Sequence, residues 1–74
     1  MNPLTPEEYS DALRRIGISN ERFCRVVGIN PTTGRKWSSG KAEVSATASA
    51  LLRIIVALKM DAARLMELLP EDGQ

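Results

Sequence analysis

The chain has no histidine, a single cysteine and one residue each of tryptophan, tyrosine and phenylalanine among its 74 residues. Each shortage removes a class of chemistry. With no histidine and only Cys24, neither a zinc site of nitrogen and sulfur ligands nor a Cys–His nucleophilic pair can be assembled. One cysteine also leaves no internal disulfide and suits a reducing compartment. No apolar run reaches the roughly 18 residues of a membrane-spanning helix. The opening MNPLTPEEYS has no basic region followed by an apolar stretch and does not read as a signal peptide. The nine carboxylates form no evident acid–base pair. A cytoplasmic, non-enzymatic protein with no metal, cofactor, small-molecule ligand or membrane partner is therefore expected.

Acidic residues are also scarce in one place. Between Arg14 and Lys41 the sole acid is Glu21, against Arg14, Arg15, Arg22, Arg25, Arg35, Lys36 and Lys41, so this stretch carries +6. Residues 1–13 carry −3 and residues 42–74 carry −2, which hides the basic middle inside a net charge of only +1. A basic stripe of this kind is the electrostatic footprint of a nucleic-acid binder.

What is present in that middle is Ser19 to Gly40, SNERFCRVVGINPTTGRKWSSG. Ser19 is a good N-cap, and Phe23, Val26 and Val27 recur at helical spacing on an inward stripe. Cys24 is small enough to let a second helix cross closely. Gly28 ends this helix, because it takes a positive φ without a Cβ clash. Ile29 plugs the turn, Asn30 caps the next helix, and Pro31 sits at its first position, where a missing N–H costs nothing. The second helix then runs through Trp37, an inward residue, to Gly40. Its outward residues are Pro31, Thr32, Thr33, Arg35, Lys36 and Ser39, hydroxyls and cations without an acid. Such a surface can enter a major groove and bond base edges and phosphates.

The stretch resembles the helix-turn-helix of the Cro/phage-repressor (XRE-like) family, whose pattern G-[IV]-S-x-x-T-x-x-x-W-x-x-G appears here as Gly28, Ile29, Asn30, Thr33, Trp37 and Gly40. The similarity extends from about Ile16 to Leu58. It implies a five-helix, all-α, lambda-repressor-like domain that binds DNA with Asn20, Asn30, Pro31, Thr32, Thr33, Arg35, Lys36, Ser39 and Lys41. Asn20 matches a position that often contacts a phosphate in the family. One departure is Gly34, where members usually carry Ile or Val. A glycine in a helix interior costs roughly 1 kcal/mol relative to alanine. Either the position tolerates it, or a neighbour fills the missing volume.

The flanks complete a single domain, residues 1–74. Thr5, Pro6 and Glu8 form a capping box for a helix reaching Ile16, burying Tyr9, Ala12, Leu13 and Ile16 and ending at Gly17. Arg14 and Arg15 in its last turn suit the macrodipole and are either solvated or phosphate contacts. Ser45 caps a helix from Ala46 to about Met60, so apolar that cover on more than one side is expected. Asp61 caps a last helix to Leu69, Pro70 stops it, and residues 71–74 read as a frayed tail. Surplus apolar residues there, Leu58, Met60, Leu65, Met66 and Leu69, are expected to form a homodimer interface.

The resemblance implies a sequence-specific transcriptional repressor acting as a homodimer on a palindromic operator. Phage regulators, antitoxin autorepressors and anti-CRISPR-associated repressors are similar in size and style. The rival reading is a protein-interaction module, an antitoxin or adaptor, using the apolar C-terminal helices.

Overall fold

A computed structural model describes residues 2–68. They form five helices: α1 (Pro6–Ile16), α2 (Asn20–Val27), α3 (Pro31–Ser39), α4 (Ala46–Ala57) and α5 (Ala62–Leu68). There is no strand among the described residues, and no helix long and apolar enough to cross a membrane.

Local chemistry sets most of the helix ends. Thr5 Oγ1 accepts from the Glu8 N–H while Glu8 Oε1 accepts from the Thr5 N–H, the reciprocal capping box. Ser19 caps α2, Asn30 caps α3 and Ser45 caps α4, each by a side-chain oxygen accepting an orphan backbone N–H. Gly28 takes φ 78°, turning α2 into the approach to α3. Asp61 accepts the Arg64 N–H at 2.8 Å and starts α5.

The end of α4 differs from the expected Met60. The helix stops at Ala57 because Lys59 adopts a left-handed backbone, φ 57°. The N–H of Met60 then returns to the Ile55 carbonyl and that of Lys59 to Val56, the paired bonds of a Schellman turn. That turn folds α5 back on the body and buries Leu65 to 3% exposure.

All three aromatics meet in one cluster. Tyr9 stands edge-on to Phe23, centroids 6.3 Å apart, and to Trp37, 5.5 Å apart at 85°. α1 packs on α3 and α4, and α3 packs on α2. Leu13, Ile16, Leu52, Ile55 and Leu65 extend the core away from the aromatics. Ser49, 1% exposed, accepts the Leu4 N–H at 3.0 Å and ties the N-terminal lead to α4.

Two expectations for the C-terminal half change. α4 is not covered on every side, since Ile54 and Leu58 are 57% and 64% exposed. Leu65, assigned to a homodimer interface, is a core residue of the single chain; Met60 and Met66 also pack against that core. Leu58 remains on the surface, joined by Leu68 and Ile54. Leu69 and the 71–74 tail lie outside the described residues.

Candidate nucleic-acid interface

α3 is held from behind so that one side faces outward. Only Gly34 and Trp37 are buried in it. Thr32, Arg35, Lys36 and Ser39 are exposed and fall within about 100° of arc at 3.6 residues per turn. Pro31 and Thr33 are half-buried at the edges of this row, and Lys41 is exposed just beyond Gly40. Asn30 is exposed too, with its side-chain oxygen committed to the Thr32 N–H at 2.9 Å. The hydroxyls of Ser38 and Ser39 donate to the Arg35 and Lys36 carbonyls, leaving their lone pairs able to accept.

Asn20 does not join this row. Its Oδ1 accepts from the Tyr9 hydroxyl at 2.6 Å and its Nδ2 donates to the Pro31 carbonyl at 3.2 Å. One side chain thus clamps α1, α2 and the first turn of α3, and a phosphate-contacting role is replaced by a positioning one. The clamp also accounts for Gly34. A Cβ there would overlap Asn20 Oδ1 and lie 2.5 Å from Cys24 Sγ. The volume of the expected Ile or Val is filled by Asn20 and Cys24 across the α2–α3 crossing. A bare backbone at the crossing was the available clue in the sequence; its partner, 14 residues earlier, was not legible from spacing alone.

Burial pushes the Tyr9 hydroxyl well above its ordinary pKa, helped by Cys24. Burial likewise raises the Cys24 thiol, outweighing the opposing effects of the Tyr9 hydroxyl, the Gly34 backbone and the Arg35 guanidinium. Both stay neutral near pH 7, so Cys24 acts as a small packing group and not as a thiolate. Among the described residues, no group of three or more acids and cysteines is placed to hold a metal ion.

The outward charge is almost all positive. Arg14 and Arg15 both pair with Asp11, at 3.1 and 2.6 Å, beside the expected solvated or phosphate-bound state. Lys36 and Lys41 have no ion-pair partner among the described residues. Arg35 donates to Thr32 Oγ1 at 3.1 Å and lies 3.8 Å from Glu21 Oε2, with both charged side chains more than half exposed. An exposed pair of this kind contributes about 0–1 kcal/mol. Glu21 therefore holds Arg35 weakly and adds the only negative charge beside the row. Glu21→Gln is expected to raise affinity for duplex DNA by up to about fivefold, the equivalent of that pair energy. Fluorescence anisotropy with a labelled duplex measures it; an affinity lowered by the change would place Glu21 among the contacts.

No family model, curated protein or solved structure matches the chain significantly.

Proposed function

We propose that the chain is a helix-turn-helix regulator of the XRE/Cro-like kind that reads double-stranded DNA with α3. The observation that carries this reading is the exposed, acid-free row Thr32, Arg35, Lys36 and Ser39 on a helix locked from behind by Trp37 and the Asn20 clamp. Donors and cations at this density match base edges and phosphates, and rigid support aims them. Repression through a palindromic operator is the regulatory form the reading favours.

A single module this small meets one half-site, with too little interface for high specificity. Two copies about a two-fold axis would set their α3 helices in successive major grooves, about 34 Å apart. The exposed aliphatics Ile54, Leu58 and Leu68 supply a surface for the second copy. Leu58→Glu is expected to leave the fold intact, because the side chain is on the surface, and to convert a dimer to a monomer. Sedimentation of both proteins at micromolar concentration reads this directly. A parent that sediments as a monomer both free and on DNA excludes the dimer.

The same aliphatics favour the rival reading, an interaction module for another protein. Salt separates the two. A dimer neutralising about eight phosphates should lose affinity with a log–log salt slope near about −7, as counterions are released. Binding that is flat in salt, or absent for every duplex, favours the protein-interaction module.

A further inference from the structure

An open furrow of about 320 Å³ runs between α1 and α4, with Leu4, Ala12, Leu52 and Val56 in its floor. A second hollow of about 250 Å³ shares Arg15 and Val56 with it and ends beside Lys59, Met60 and Asp61. Together they make one elongated channel, and no residue of α2 or α3 lines either part.

The acids along this channel are already engaged. Glu8 is held in its capping box, Asp11 binds Arg14 and Arg15, and Asp61 caps α5. The cations are not. Arg53 Nη1 is shielded from solvent and has no hydrogen-bond partner among the described residues. Lys59, exposed at the far end, has no ion pair among them either. A guanidinium nitrogen withdrawn from water without an acceptor carries a penalty that an incoming anion relieves. The channel therefore offers an aliphatic floor with unanswered positive charge.

We propose that it docks an acidic amphipathic helix of a partner protein, aliphatic side chains down and a carboxylate on Arg53. A groove between two helices suits a third helix, whose apolar stripe recurs every three to four residues. The apolar floor and engaged acids disfavour nucleic acid. A second copy of this chain fits poorly: α4 contains no acid, and Glu67 on α5 is paired with Arg64 at 3.1 Å. The exposed aliphatics form a separate face, since Ile54 and Leu58 lie about 100° round α4 from Arg53 and Ala57. The proposal does not rest on the DNA reading, and both surfaces can be occupied together.

The test is a titration of the isotopically labelled full chain, followed by amide chemical shifts. The probe is a capped 14-residue peptide built of two Leu-Glu-Glu-Leu-Leu-Glu-Glu heptads. Its control carries Lys at every Glu. Saturable shifts are expected at the channel residues, Leu4, Ala12, Leu52, Arg53 and Val56, with the acidic peptide only. Arg53→Gln should weaken binding about tenfold or more, as loss of a charge-assisted bond does. Lys59→Gln, at an exposed position, serves if the first variant does not fold, and should weaken binding by about threefold. Absence of saturable shifts, equal binding of the Lys peptide, undiminished binding by folded variants, or shifts centred on Ile54 and Leu58 would each overturn the proposal.

Discussion

Trp37→Ala is expected to leave most of the chain unfolded at physiological temperature. Trp37 is 4% exposed and is the one large side chain that α3 sends into the core. Its indole stands edge-on to Tyr9, which joins it to Phe23, so one truncation opens the aromatic cluster between three helices. Removal of a buried tryptophan typically costs about 3–5 kcal/mol. A domain of this length holds only about 4–11 kcal/mol in total, and small domains fall toward the lower end. DNA binding should vanish with the fold and not separately from it. Urea titration followed by far-UV circular dichroism gives the stability. A variant within about 1 kcal/mol of the parent that merely bound DNA weakly would put Trp37 on the outer side of α3, and the orientation of the whole recognition surface would be wrong.

Gly34→Ala is expected to destabilise, against the usual sign for glycine in a helix. Helix propensity alone favours alanine by roughly 1 kcal/mol. The new Cβ, however, collides with Asn20 Oδ1 and Cys24 Sγ. Asn20 can retreat only by giving up the Tyr9 hydroxyl and the Pro31 carbonyl. Lost hydrogen bonds cost about 0.5–1.5 kcal/mol each, and overpacking typically 1–3 kcal/mol. The net expectation is a loss of about 1–3 kcal/mol, with α3 displaced from α2 and DNA affinity reduced as well. A double-mutant cycle with Asn20→Ala isolates the cause. The double variant should lose less than the sum of the two single losses, because the collision with Asn20 is then absent. Strict additivity, or a higher melting temperature for Gly34→Ala alone, would mean that Asn20 does not occupy the glycine's space.

Caps and turns were legible in the sequence because their physics is local. Thr5 with Glu8, Ser19, Asn30 with Pro31, and Gly28 each act within four residues, and all fall where the spacing placed them. The inward set of α1 followed from its period in the same way. The errors arose where distant residues decide. α4 ends early through a lysine in a left-handed conformation, which ordinary residues enter at a cost of about 1–2 kcal/mol and which glycine usually signals. That turn sends Leu65 inward, and nothing in the α5 sequence distinguishes an aliphatic facing its own core from one facing a second copy. Asn20 beside a helix cap looks like any first-turn polar residue until Tyr9 and Pro31 are brought to it. The outward row on α3 was readable from periodicity, whereas the pairing of Arg35 with Glu21 across α2 and α3 was not.

The central claim, that α3 reads DNA, is tested most directly by selecting bound duplexes from a random pool with the parent chain and with Arg35→Ala in parallel. Arg35 is exposed, so its loss leaves the fold standing. The account predicts one enriched motif for the parent, with two-fold symmetry and half-sites about 10 base pairs apart. Arg35→Ala should select the same motif with preference relaxed at one base pair in each half-site and affinity lowered by about 1–3 kcal/mol, as for a lost bidentate contact. No enriched motif with the parent, or an identical motif at identical affinity with the variant, would contradict it.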